Sequence, residues 1–163
     1  MSATSNLFVF GSLMDAEVLE IVLGRQLASQ NRQAAYLNHY QRLCVVNECY
    51  PGLRQAPGKC VQGCLLSDLS PFDVDRVCYF EGEEFSLAEC EVVLHNQKTA
   101  GALMFQLEAN TQLTQVEWSL LSWQRSDKAI FMQMAKRWMQ GYGVADFKTA
   151  QQLWAQHNPH QTE

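Results

Sequence analysis

The sequence predicts an α+β fold, a mostly antiparallel, curved or barrel-like sheet with helices on its outside. Three observations carry this. Short apolar runs separated by turn residues fill the first two thirds of the chain. Helical spacing of apolar residues takes over in the last third. The length, 163 residues with 47% hydrophobic and 18% charged, suits one ordered domain that buries its core without staples. That domain is expected over residues 1–163, with a core from about residue 7 to about residue 140 and a tail that frays from about Gln156.

Leu7-Phe8-Val9-Phe10 is a short apolar run closed by Gly11-Ser12, the pattern of a buried strand ending in a turn. Asp15 then caps a helix with Val18, Leu19, Val22 and Leu23 on one side, and Gly24 stops it. Tyr40 to Val46 and Lys59 to Leu66 read as strands separated by a turn-rich stretch from Pro51 to Gly58. Ser70-Pro71-Phe72-Asp73 is a helix start with a capping serine, a proline in the first turn and a carboxylate at the dipole's positive end. That helix should run to about Phe80, where Glu81-Gly82 breaks it. Phe85 to Leu94 and Ala102 to Leu107 return to strand character. A last helix is expected from Ser126, with Ile130, Phe131, Met134 and Trp138 on one face as core.

Composition excludes several function classes. Twelve basic against 17 acidic residues leave a net charge of −5, and scattered cations are no footprint for a phosphate backbone, so nucleic acid is excluded as a partner. No apolar run approaches the length of a membrane span, and the N-terminus lacks the pattern of a signal peptide. A cytoplasmic location without membrane contact is expected. The residues specify no oligomeric state.

Three places could hold chemistry. Phe10-Gly11-Ser12-Leu13 joins a strand end to a helix start, where free N–H groups can form a nest for an anion or oxyanion. The plainer reading is a turn glycine. Glu81 follows Cys78, Tyr79 and Phe80 and precedes a turn glycine, which implies partial burial at an element boundary. Its neighbours Glu83, Glu84, Glu89 and Glu91 read as a solvated acidic edge. Tyr50-Pro51-Gly52-Leu53 is an extended turn able to wall a pocket, or an ordinary proline turn. No nucleophile elbow, glycine-rich phosphate loop or His-Glu-x-x-His helix is present, and the four histidines are scattered.

Taken in order and spacing, these places resemble one family. Leu7 to Asp15 with Val18-Leu19 and Leu23-Gly24-Arg25, Tyr50 to Leu53 with Pro57-Gly58 and Val61-Gln62-Gly63, and Val77 to Gly82 with Phe85 and the strand to Val93 are similar to bacterial γ-glutamylcyclotransferase-like proteins. The resemblance implies a small barrel-like sheet with flanking helices around a cavity, and a small-molecule γ-glutamyl substrate cyclised to 5-oxoproline without a cofactor. It implies Glu81 as general base and Phe10, Gly11, Ser12 and Leu13 as the substrate loop, with Tyr50 and Phe85 beside them. The chain departs from the family pattern at Phe10, where a tyrosine is usual, at Cys78, where an aspartate is usual, and at Phe85-Ser86-Leu87, where Tyr-x-Arg is usual. A non-catalytic domain that keeps the fold and cavity to bind a metabolite or protein is the alternative.

The chemistry asks little of the protein. A γ-glutamyl amide holds its own nucleophile within five-ring reach of the γ-carbonyl, and such attack can recover on the order of 7–11 kcal/mol. An ordinary glutamate near pKa 4.3 facing an amine near 8 is mismatched by roughly 5 kcal/mol. Burial against Phe80 and nearby acidic groups should raise the Glu81 pKa and narrow the gap.

The six cysteines, Cys44, Cys49, Cys60, Cys64, Cys78 and Cys90, sit mostly in apolar, strand-like settings. The alternative is zinc at the local pairs Cys44/Cys49 and Cys60/Cys64, but their spacings miss the usual knuckle and no histidine completes a site. All six are expected reduced and metal-free. Elemental analysis should find no stoichiometric zinc, and mass spectrometry of the non-reduced protein should find no disulfide.

Overall fold

A computed structural model describes residues 3–143; the tail expected to fray lies outside them. Six strands alternate with four α-helices: β1 (Ser5–Val9), α1 (Ala16–Leu23), β2 (Arg32–Val45), β3 (Pro51–Leu69), α2 (Pro71–Glu81), β4 (Phe85–Leu94), β5 (Thr99–Leu107), β6 (Leu113–Glu117), α3 (Leu120–Ser126) and α4 (Lys128–Gln140). The sheet runs β3-β1-β5-β4-β2-β6, and β3 also pairs with β2, so five strands close into a ring with β6 beside β2. Every pairing is antiparallel except β1 with β5, where Leu7 stands opposite Leu103. The architecture is the barrel-like α+β fold that the sequence predicts.

Alternation along the strands builds two cores. Phe8, Ala35, Leu37, Val61, Leu65, Val92, Ala102 and Met104 form one cluster. Its members come from all five ring strands and from no helix, so it fills the ring. Leu7 and Val9 point the other way and join Val18, Leu19, Val22, Leu23, Leu66, Leu69, Val77 and Trp123 between the sheet and its helices. No helix among the described residues is long and apolar enough to cross a membrane.

Several boundaries differ from the expectation. The stretch from Pro51 to Gly58 belongs to β3. Pro51 takes the first strand position, where its missing N–H is tolerated. Pro57-Gly58 lies in a bulge: Asn38 pairs with Cys60 and Tyr40 with Gln55, so four residues face His39 alone. His39 adopts φ 69°, and its Nδ1 accepts the Gly58 N–H at 3.3 Å. β2 starts at Arg32, hidden in sequence by polar residues on its outer face. The short elements β6 and α3 carry too little periodicity to read. Ser126 ends α3 instead of opening the last helix, which starts at Lys128. Ile130 is 66% exposed, because α4 turns Phe131, Ala135 and Met139 inward instead.

Two buried carboxylates fasten the helices. Asp15 accepts the N–H groups of Glu17 and Val18 and binds Gln124 at 2.9 Å and Lys128 at 2.8 Å, joining α1 to α3 and α4. Asp73 completes a capping box with Ser70 and takes a two-pronged contact from Arg25, at 3.0 and 2.7 Å. Arg76 on α2 donates in turn to the Val22 and Ile21 carbonyls at the end of α1.

Burial alone would raise the Asp73 pKa, but the hydrogen bonds from Arg25 and Ser70 outweigh it and hold the carboxyl below its ordinary value. Its contribution to stability is therefore in place above pH 3.8 and is lost as pH falls through the lower folded value. Asp73→Ala should cost roughly 2–4 kcal/mol at pH 7, from the lost cap and charged hydrogen bonds together. Urea unfolding at pH 7 checks this; a midpoint within error of wild type would contradict it.

Candidate active site

One cavity of about 340 Å³ collects residues from distant parts of the chain. Its walls come from the end of β1, the turn before β3, the end of α2, Phe105 on β5, and α4. Phe10, Gly11, Ser12, Leu13, Tyr50, Glu81 and Phe85 line it, as does Pro51, while Gly52 and Leu53 of the same expected turn do not.

The loop after β1 is held tightly. Ser12–Met14 is one turn of 3₁₀ helix, closed by the Met14 N–H on the Gly11 carbonyl at 3.0 Å. The N–H groups of Ser12 and Leu13 therefore have no acceptor inside the turn. Leu13 buries its side chain in the helix-side core, so it offers the cavity its backbone. Gly11 has φ −126°, so its need is space rather than conformation: a Cβ there would come within 3.2 Å of Pro51 Cδ. Phe10 turns its ring toward Phe8 and the inside of the barrel. Its carbonyl accepts from Arg42 Nη1 at 2.9 Å.

Also on the cavity wall, Tyr50 packs on Phe85 with ring centres 5.9 Å apart and donates its hydroxyl to Glu84 at 3.4 Å. Burial, and then the charges of Glu48 and Glu84, push the Tyr50 pKa up. Glu48 is also raised, first by burial and then by Glu84.

Glu81 is the last residue of α2, and Gly82 takes φ 83° to turn the chain out toward β4. The last turn of α2 is locked to α4. Tyr79 stacks on Trp138 at 5.2 Å, its hydroxyl donates to the Trp138 carbonyl, and the Trp138 indole donates to the Tyr79 carbonyl. Glu81 keeps an intermediate exposed area because the cavity reaches it, yet protein surrounds its carboxyl. Among the described residues no side chain pairs with that carboxyl. Burial raises its pKa from the ordinary 4.5 to about 8. The neighbouring acidic groups expected to assist contribute nothing resolvable; desolvation is the cause.

Four glutamates, Glu48, Glu81, Glu83 and Glu84, line the cavity, with no Lys, Arg or His among its described lining residues. Among the described residues no three His, Cys, Asp or Glu stand together in a way that could hold a metal ion, and the six cysteines are free thiols. Sequence reasoning missed Glu48 as part of the wall, set Glu83 and Glu84 aside as a solvated edge, and missed Arg42 altogether. Glu83 and Glu84 follow Glu81 in the turn before β4 and Glu48 lies in the turn before Tyr50, whereas Arg42 reaches the site from β2 through pairing of distant segments.

A family model described as gamma-glutamyl cyclotransferase, AIG2-like, matches residues 7–125. AIG2-like protein C of Arabidopsis thaliana is 25% identical over 150 residues, covering 90% of this chain and 85% of that protein. The solution structure of At5g39720.1 from Arabidopsis thaliana superposes with a TM-score of 0.62 at 22% identity, over 86% of this chain and 93% of that one. A structure described as gamma-glutamyl cyclotransferase superposes with a TM-score of 0.59 at 14% identity, over 68% and 70% of the two chains. The two structural likenesses show a shared fold.

The Glu81 environment has a direct readout. Carbon-13 titration of the glutamate carboxyls should show one midpoint near 8, absent from Glu81→Gln. Because the folded pKa lies above 4.5, folding binds this proton more tightly, and stability falls as pH rises from about 4.5 to about 8. Glu81→Gln should accordingly match wild type in thermal unfolding at pH 4 and exceed it at pH 9. A Glu81 midpoint between 4 and 5 would remove the carboxyl from a desolvated setting.

Proposed function

The chain belongs to the AIG2-like gamma-glutamyl cyclotransferase family, and on that premise we propose that it converts a γ-glutamyl amine or γ-glutamyl amino acid to 5-oxoproline and the free amine, with Glu81 as general base. One observation carries the reading. A carboxyl with no side-chain partner among the described residues and a pKa of about 8 opens onto the same cavity as the Gly11–Leu13 backbone.

The raised pKa matters because a substrate α-ammonium titrates near 7.7–8.0. Proton transfer to Glu81 is then nearly balanced, where an ordinary glutamate would face a gap of roughly 5 kcal/mol. The freed amine attacks the γ-carbonyl of the same molecule, forming the C–N bond of the five-membered ring. The carbonyl electron pair moves onto oxygen, where backbone N–H groups of the Gly11–Leu13 loop stabilise it. As the tetrahedral intermediate collapses, the bond to the leaving nitrogen breaks, protonated Glu81 returns its proton to that nitrogen, and the surplus proton of the ring nitrogen passes to the departing amine, which leaves as its ammonium. Atoms and charge balance with no added reagent.

The departures from the family pattern bear unequally on this scheme. Cys78 and Leu87 are not among the residues that line the cavity, and Leu87 is 40% exposed on β4. Phe10 does line it, but with its ring packed against Phe8 its contribution to the loop is its carbonyl and the peptide that follows.

The test is a panel of γ-glutamyl amines and γ-glutamyl dipeptides assayed for 5-oxoproline. On an active substrate, kcat/KM should peak near pH 8, rising as Glu81 ionises in the free enzyme and falling again as the substrate ammonium loses its proton. Glu81→Gln should lower kcat by ~10²–10⁴ while retaining 5-oxoproline binding. A Glu81→Gln variant within a few fold of wild type would end the mechanism. No 5-oxoproline from any member of the panel, with ligand still bound, would favour the non-catalytic reading.

A further inference from the structure

We propose that Arg42 is a positioning residue for this site, holding and polarising the Phe10–Gly11 peptide so that the Gly11 N–H faces the developing oxyanion as a strengthened donor. This rests on the cyclisation chemistry proposed above.

Arg42 lies on β2, yet one of its nitrogens, Nη1, donates to the Phe10 carbonyl and to the Gln62 carbonyl, each at 2.9 Å. β2, β3 and the residue that follows β1 meet on one guanidinium, and the last of these, Phe10, lines the cavity. Its plane is carried by Trp118, whose ring centre lies 5.4 Å from Cζ. Trp118 in turn donates its backbone N–H to the Arg42 carbonyl at 3.4 Å and its indole N–H to the Cys49 carbonyl at 2.9 Å. One Arg–Trp pair thus holds the carbonyls immediately before Gly11 and before Tyr50, two residues that line the cavity.

As a stability device the arrangement is poor. No carboxylate forms an ion pair with Arg42 among the described residues, and Glu117 acts on it only through space. Its Nε is fully buried without an acceptor. Both features cost free energy that a well-packed apolar side chain would not. What the charge does accomplish is local. The Phe10 carbonyl and the Gly11 N–H belong to one planar, conjugated peptide group. A cation hydrogen-bonded to the oxygen draws density through that group and makes its N–H a better donor, the cooperative effect seen in hydrogen-bond chains. It also fixes the plane of the peptide, so the donor is oriented before substrate arrives.

The experiment uses the full chain with Arg42→Met, Arg42→Gln and Arg42→Lys. In the ligand-free protein, loss of the charged donor should move the Gly11 amide nitrogen resonance upfield, leaving that of the remote Gly101 in place. With γ-glutamyl-p-nitroanilide as probe and 5-oxoproline as product, Arg42→Met should lower kcat roughly tenfold, less than the ~10²–10³ for deleting a direct oxyanion donor. KM should stay near wild type, because the interaction matters in the transition state. Arg42→Lys should recover part of kcat and part of the Gly11 shift, an outcome that general loosening would not produce. Arg42→Gln keeps a shorter neutral donor and carries the same test if the apolar variant does not fold.

A folded Arg42→Met or Arg42→Gln protein with wild-type kcat, or with an unmoved Gly11 resonance, overturns the proposal. A wild-type protein that makes no 5-oxoproline from the probe or the wider panel defeats the cyclisation reading instead. The Gly11 resonance then decides alone: its movement in Arg42→Met upholds the hold of Arg42 on the Phe10–Gly11 peptide, and an unmoved signal overturns it.

Discussion

Closure of the ring through β3 is the constraint on which the rest depends. This strand runs from Pro51 to Leu69 and is long enough to pair with β2 along one edge and β1 along the other. Because the same strand begins at the turn that carries Tyr50, its start is brought against the loop that leaves β1, and Gly11 touches Pro51. Neither loop can move far without breaking a ladder that also encloses the inner core. The cavity is therefore framed by backbone pairing, and α2 and α4 only have to close its remaining side.

That helical side is fixed by polar contacts as well as by the apolar core between sheet and helices. Arg25 and Ser70 secure the start of α2 at Asp73, while Tyr79 and Trp138 secure its last turn. Glu81 comes one residue before the chain turns away at Gly82. Because α2 is held at both ends, a shift of the helix cannot relieve the desolvation of this carboxyl. Rigid support and a raised pKa are two sides of one arrangement.

Much of this could be read from the chain itself. Asp15, Gly24 and the Ser70 to Asp73 start are local codes, and the structure uses each as its chemistry dictates. The strand end at Gly11 and the helix end at Glu81 were legible for the same reason. What escaped was everything that depends on pairing between distant segments. Pro51 to Gly58 looks like a turn until β2 is laid beside it, and Arg42 looks like any strand arginine until Phe10 and Gln62 are brought to it. In α4, a helical stripe was visible but its rotation was not, since Ile130 and Phe131 are equally apolar and only neighbours decide which turns inward.

The bulge opposite His39 has a consequence for how this chain can change. Pro57, Gly58 and Lys59 are exposed and stand outside the β2–β3 register, which is re-established on both sides by Gln55 and Cys60. Additional residues entering between Pro57 and Gly58 would lengthen a loop already free of ladder bonds, at a closure cost that grows only slowly with length. They would also emerge on the surface, away from the residues that line the cavity. The same edge carries Cys60, the one exposed cysteine among the six, the others being half-buried. This one hairpin edge thus offers both an insertion point and a chemical handle, where a tether or reporter can be attached without passing through either core.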